Sequence, residues 1–248
     1  MTIATMPTTR LYQKIGLALQ ERIKAGEFKI GDRLPPERDI AEAMQVSRSV
    51  VREAIVMLEL KGLVNVRKGS GVYVDKLFSA NQLHSVNSSS EVSDIGPFEL
   101  IQARQVLESQ IASFAAMNVT KNDISKLREA LDTELIQLET GNSDYDGDKM
   151  FHLTIAEASQ NSVLSDIVRD LWLRREQSPM WRHLHSRITD VSYRTAWLED
   201  HEVILRALKR KDPEAARKAM WDHLENVKQT LLELSDIDDP LFDGFLFR

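Results

Sequence analysis

Asp148 and His152 stand four residues apart in a stretch of helical periodicity, so their side chains project from one helix face, close enough to chelate one ion. His201 precedes Asp212 by eleven residues and His223 follows it by eleven. In a helical hairpin that turns at Asp212, equidistant residues come side by side. Two independent pairs therefore have metal-site spacing. An aspartate with three histidines suits a divalent transition ion, zinc foremost and nickel or manganese as alternatives, with water or a ligand completing the shell. Each histidine taken alone is more often a hydrogen-bonded or surface residue than a ligand. A metal with open positions also activates water, which leaves a metal-dependent enzyme open as an alternative. That reading needs an acid or base beside the ion, and Glu157 falls off the stripe of Asp148 and His152. A purely structural ion with an unrelated effector is a third possibility.

A second constellation lies near the N-terminus. Ser47, Arg48, Ser49 and Arg52 cluster at the start of one helical segment, as major-groove docking requires, because the N-terminal end of a reading helix approaches base edges and phosphates. The flanking segments supply the support. Leu11, Ile15, Leu19 and Ile23 recur at helical spacing before a break at Gly26 to Gly31. Pro35 and Pro36 sit where a proline is tolerated, at the start of a short helix from about Glu37 to Met44. The turn Gln45-Val46-Ser47 ends in a serine whose hydroxyl is expected to cap the next helix, which turns Val50, Val51, Ala54, Ile55 and Leu58 to a core. Leu63 to Lys68 and Val72 to Val74 then suit two strands joined by Gly69-Ser70-Gly71, with Lys68 at the tip. The order is that of a winged helix-turn-helix.

Charge divides along the same line. Residues 1–74 hold 12 Lys and Arg against 8 Asp and Glu, while the remainder holds 20 against 30. The basic part can approach phosphates although the chain as a whole has net charge −6. The sequence contains no run of eighteen apolar residues and no charged-then-apolar leader, so neither a membrane partner nor secretion is expected. It contains no cysteine, which excludes disulfides and thiolate zinc sites and fits a cytoplasmic location.

Residues 76–97, rich in serine and asparagine, read as a linker after a DNA-binding domain over 9–75. From residue 98 to 234 the pattern is helical throughout, over about 98–117, 121–140, 145–160, 162–177, 190–210 and 213–234. Thr120 with Asp123 and Asp212-Pro213-Glu214 mark helix starts. The expected fold is mainly α: a winged helix-turn-helix followed by an all-α bundle of six to seven helices. An aromatic tail, 235–248, should pack on its own domain or on a second copy.

The run Arg33-Leu-Pro-Pro-Glu-Arg-Asp-Ile-Ala, with Val51-Arg-Glu-Ala, Gly62-Leu-Val and Arg67-Lys-Gly-Ser-Gly, resembles the N-terminal domain of GntR-family transcription regulators. The resemblance implies operator DNA contacts by Arg38, Arg48 and Arg52, with Lys68 and Gly69 in the positions of a wing contact. Asp148-x-x-x-His152, the His201 segment, Lys211-Asp-Pro-x-x-Ala and Met220-x-x-His223-Leu resemble the metal-binding form of the FadR-type effector domain, FCD. There the aspartate and three histidines hold the ion. The arginine corresponding to Arg104, within Gln102-Ala-Arg-Gln-Val-Leu-Glu108, faces the ligand cavity, where a guanidinium beside the metal would complete recognition of a carboxylate. Asn161 either lines that pocket or caps the next helix.

Gly96-Pro-Phe-Glu-Leu-Ile-Gln-Ala-Arg-Gln, Ser178-Pro-Met-Trp and Ala219-Met-Trp-Asp-His-Leu-Glu-Asn-Val-Lys are similar to the hexuronate-utilisation repressors of that family. The similarity implies a homodimer released from DNA by a sugar acid of the fructuronate or glucuronate type, not an enzyme. His183 and His185, two apart, would diverge on a helix and read as surface residues, one of them a lesser candidate for a sugar hydroxyl. Trp172, Trp181, Trp197 and Trp221 read as core or interface.

Overall fold

The computed structural model describes residues 9–67, 69–75, 95–141, 144–186 and 193–236. Lys68, His84, most of the expected linker and the tail from residue 237 lie outside the described residues.

The N-terminal module runs α1 (Leu11–Lys24), α2 (Glu37–Met44), α3 (Arg48–Leu60), β1 (Val64–Arg67) and β2 (Gly71–Val74). α1 delivers Ile15, Leu19 and Ile23 to a core shared with Ile40, Val51, Ala54, Ile55 and Leu58, the apolar stripe expected of the sequence. β1 and β2 pair antiparallel, Val64 opposite Val74 and Val66 opposite Val72, and their valines close the core from below. Ser47 stands at the N-cap position of α3, but its hydroxyl meets Ser49 Oγ at 2.9 Å and caps no amide, contrary to expectation.

The C-terminal part holds seven described helices: α4 (Pro97–Asn118), α5 (Lys121–Glu139), α6 (Asp146–Ala158), α7 (Ser162–Gln177), α8 (Pro179–His185), α9 (Tyr193–Lys209) and α10 (Pro213–Leu234). Both expected caps form. Thr120 Oγ1 accepts from Asp123 N at 3.2 Å while Asp123 answers the Thr120 amide at 2.9 Å. Asp212 accepts from Ala215 N at 3.0 Å and turns α9 into α10. Ala112, Ala115, Ala116, Ala130 and Ala158 let α4, α5 and α6 approach closely around Phe151, Leu205 and Met220. The helix beyond the six spans expected, α8, is a seven-residue segment whose start is set by Ser178 Oγ accepting from Trp181 N and by Pro179 in the first turn.

The two parts share a third core. Tyr12 of α1 and Val56 of α3 pack with Phe98, Ile101, Met180, Trp181, Leu184, Trp197, Val227 and Leu231. Trp172, Trp181 and Trp197 are buried as expected, whereas Trp221 is 41% exposed.

Candidate metal centre and DNA interface

α6 contributes Asp148 and His152 one turn apart, the hairpin at Asp212 sets His201 of α9 beside His223 of α10, and packing of α6 and α9 against α4 and α5 brings the two pairs together. One ligand atom from each of the four lies within 4.8 Å of the others, and all four residues are buried. His201 Nε2 is 3.1 Å from His223 Nε2, and Asp148 Oδ1 is 3.3 Å from His152 Nε2 and 3.7 Å from His201 Nε2. Donors bonded to one tetrahedral ion at zinc distances are separated by roughly 3.3 Å, so this spacing suits a transition metal.

The opposite ring nitrogens face carboxylates. His152 Nδ1 bonds Glu108, His201 Nδ1 bonds Glu134 at 2.8 Å, and His223 Nδ1 lies 3.5 Å from Asp200. A carboxylate behind each imidazole fixes the tautomer that leaves Nε2 as the ligating atom. Burial and the neighbouring His201 hold the His223 pKa down to about 3, leaving it neutral as a ligand must be. Burial alone would raise Glu108, but Arg104 and His152 hold it down to about 2.

Beside this cluster lies a group of cations with unmet donors. Arg104 is buried, its Nε donates to Glu108 Oε1 at 2.6 Å, and its Nη2 has no acceptor among the described residues. The buried Arg175 guanidinium packs 4.7 Å from the rings of Tyr145 and Trp172 and 4.8 Å from Trp181. Among the described residues it has neither a hydrogen-bond acceptor nor an ion pair, and burial lowers its pKa while Asp148 acts to raise it. Trp172 Nε1 likewise has no hydrogen-bond partner among the described residues. Next to them, Tyr145 Oη meets His185 Nε2 at 2.6 Å and Tyr193 Oη at 2.7 Å. Buried donors without acceptors are costly to a folded chain and point to an anion that completes them. Burial, with Arg175 and Arg194 nearby, pushes His185 down to about 4, so its ring is neutral near pH 7.

The expectation for Asn161 divides. Its Oδ1 accepts from Val163 N at 3.1 Å and Leu164 N at 3.2 Å, capping α7, and it lines an open surface depression with Glu157, Gln160 and Arg169 instead of joining the cluster. His183 and His185 correct the expectation of surface residues: both are half-buried, His185 against the tyrosines and His183 bonded through Nε2 to Glu59 Oε2 at 2.6 Å.

On the DNA-reading side, Arg38 is open to solvent, its side chain 82% exposed and 3.5 Å from Asp39. Ser47 is exposed, Ser49 half-buried, and Gly69 sits at the hairpin turn with φ +68°. Arg48 is paired with Asp236. Arg52 is fully buried: Nε donates to Glu37 Oε2 at 2.7 Å, and Nη1 donates to Leu232 O at 3.1 Å and to Ser235 Oγ. In this arrangement Arg52 cannot touch DNA, which departs from expectation for a physical reason, the docking of the end of α10 on α3.

Residues 11–74 match the bacterial regulatory proteins of the gntR family, and residues 99–226 match the FCD domain. The chain belongs to the GntR family. This GntR regulator is 52% identical over 241 residues to the Uxu operon transcriptional regulator of Escherichia coli strain K12, covering 96% of this chain and 93% of that one. It is 51% identical over 239 residues to the Uxu operon regulator of Haemophilus influenzae, covering 96% and 88%. It is 47% identical to the Exu regulon transcriptional regulator of Escherichia coli K12, covering 96% and 91%. The family controls transcription and is not a family of enzymes. None of the described helices is long and apolar enough to cross a membrane.

Sequence reasoning missed Glu108, Glu134, Asp200, Arg175, Tyr145 and Tyr193, and read Trp172 only as core or interface. Glu108 carried a signal, four residues after Arg104 and on its stripe. Arg175 carried a weaker one, three residues after Trp172.

Proposed function

We propose that this GntR regulator represses genes for hexuronate use and leaves its operator when a sugar acid of the fructuronate or glucuronate type binds in the FCD domain. The observation that carries the reading is the meeting, in one buried region, of the Asp148, His152, His201 and His223 donor set with Arg104, whose Nη2 has no acceptor among the described residues, and with the Arg175 guanidinium stacked on Trp172. A uronate brings a carboxylate with hydroxyls beside it, which is what such donors require. The names of the relatives, Uxu and Exu, support hexuronates over other carboxylates.

A divalent ion, zinc foremost, held by Asp148, His152, His201 and His223 supplies a Lewis-acid anchor for an oxygen of the effector. Arg104 and Arg175 then orient the carboxylate, and Tyr145, His185 and Tyr193 meet hydroxyls. Asn161 serves α7 as its cap and is at most peripheral to the effector.

Operator recognition falls to Arg38, Ser47, Arg48, Ser49, Arg52, Lys68 and Gly69 in a DNA-binding domain over 9–75, joined through 76–97 to the effector domain over 98–234. The working species is a cytoplasmic homodimer, since one module buries only about 600–1,000 Å², too little for tight specific binding. Val106, Leu107, Phe114 and Met117, exposed along α4, offer a face for the second copy. Effector binding shifts operator affinity by roughly 5–150-fold if its coupling is of ordinary size.

Calorimetric titration of D-fructuronate, D-glucuronate and D-galacturonate into zinc-loaded protein tests the effector half. One sugar acid should bind, and Arg104→Ala should abolish its heat while zinc content is unchanged. Failure of all three to bind would remove the hexuronate assignment.

A further inference from the structure

The reading helix has no free side along its middle. Val51, Arg52, Glu53, Ala54, Ile55 and Val56 are consecutive and all buried, so every face of α3 is covered there. A helix that reads DNA must present one face to the major groove.

Three elements of the effector domain supply the cover. Glu53 accepts from the amides of Phe98 at 2.7 Å and Glu99 at 3.0 Å, the open N-terminus of α4. Glu59 accepts from His183 on α8. The end of α10 takes both arginines: Arg52 donates to Leu232 O and Ser235 Oγ, Arg48 donates to Asp236 Oδ2, and Asp236 Oδ1 lies 3.5 Å from Arg52 Nη2. Paired oxygens set on two guanidiniums offer what a DNA phosphate offers.

We propose that Ser235-Asp236 is a built-in phosphate mimic that competes with operator DNA for Arg48 and Arg52, and that the docked arrangement is the DNA-released state. The mimic is tied to the metal centre by one continuous helix. Ser235 follows His223 by twelve residues, roughly 18 Å along the axis, so a displacement of α10 at the metal centre is carried to Arg48 and Arg52. Arg52 keeps Glu37 when the mimic leaves, which holds its side chain extended for a phosphate. This inference rests on the reading of Arg48 and Arg52 as DNA contacts.

The chain has no cysteine, so one reactive pair can be introduced cleanly. Full-length protein with Glu59→Cys and His183→Cys, bridged by a short cleavable bis-maleimide, fixes α3 against α8. Its affinity for a fluorescein-labelled duplex from upstream of its own gene is measured by anisotropy before and after cleavage. Bridging should weaken binding about tenfold or more, with recovery on cleavage. In the unbridged protein, Ser235→Ala with Asp236→Asn should tighten binding about fivefold or more. Glu233→Gln removes an equal charge that pairs with neither arginine, and should not tighten it. Equal affinity of bridged and cleaved protein would overturn the proposal. So would an unchanged affinity of the Ser235, Asp236 variant while Arg48→Ala weakens binding. If Arg48→Ala and Arg52→Ala both leave affinity unchanged, the DNA contacts themselves are misassigned and the mimic falls with them.

Discussion

His201 and His223 turn their Nε2 atoms toward each other at 3.1 Å, each with the other ring nitrogen directed at a carboxylate, Glu134 in one case and Asp200 in the other. With the Nδ1–H of His201 bonded to Glu134 and that of His223 directed at Asp200, the tautomer with both protons on Nδ1 sets two lone pairs face to face, an arrangement that a cation between them stabilises. The turn at Asp212 produces it, because it sets α9 and α10 antiparallel with these residues in register.

Metal removal should therefore cost stability. A site filled at about a thousand times its Kd stabilises by about 4 kcal/mol, roughly 8–16 °C of Tm for a chain of this size. Thermal unfolding with and without a chelator should show that difference, and His201→Ala or His223→Ala should abolish it. A zinc-dependent rise in Tm that survives in both variants would place the ion elsewhere.

Arg175 separates binding from stability. Replacing a buried guanidinium that is held by aromatic rings and has no acceptor among the described residues with Met removes a desolvated charge and keeps an apolar contact with those rings, so Tm should change little. Effector affinity should fall by about 1.5–3 kcal/mol, the worth of a hydrogen bond to a charged group, which is roughly 10–150-fold. Thermal scans paired with calorimetry of Arg175→Met check both, and a large loss of Tm with affinity intact would make Arg175 a structural residue.

Much of this was legible in the sequence, and the failures have causes. Pro35, Pro36 and Gln45 bracket α2, and the expected span, Glu37–Met44, is the one observed. The capping residues Thr120 and Asp212 start α5 and α10 where expected. The meeting of Asp148, His152, His201 and His223 in one buried cluster was readable because two local rules, helical spacing and hairpin symmetry, converge on it. α8 was not, since seven residues give too little periodicity to register. The burial of Arg52 depends on residues 180 and more positions away, which no local pattern reports. Arg175 looks in sequence like one of two cations in the last turn of α7, and only its burial among three aromatic rings distinguishes it from Arg174.

Gly147 fixes how closely α6 approaches α5. A Cβ there would lie 2.5 Å from the Glu134 backbone nitrogen and 2.7 Å from its Cα. Gly147→Ala should push α6 away, drawing Asp148 from His201, at a cost of about 1–3 kcal/mol in stability. Zinc affinity should drop about tenfold or more by competition with a chromogenic chelator, as for loss of a supporting contact. Unchanged affinity would show that α6 accommodates the methyl group without moving its ligands.

Docking of the reading helix should depend on pH through Glu53. Burial pushes its carboxyl up to about 7, opposed by the amide bonds from Glu99 and Phe98 and by Arg10, with Glu99 acting in the same direction as burial. The docked state thus binds the proton more tightly than the undocked one. Its contribution is present below about 4.5 and is lost as pH rises through about 7. Hydrogen exchange at the Val51–Val56 amides, corrected for intrinsic rates, should show protection falling across that window, and Glu53→Gln should flatten the fall. Protection that grows with pH would reverse the assignment.

The central claim is that a sugar acid bound at the metal centre removes this regulator from DNA. It is tested most directly by titrating D-fructuronate, D-glucuronate and D-galacturonate into zinc-loaded protein already bound to labelled upstream DNA, with anisotropy as the readout. Selective release by fructuronate or glucuronate, absent in His223→Ala and Arg175→Met, is the expected result. A complex that none of the three dissociates, although one of them binds the free protein, would contradict the account.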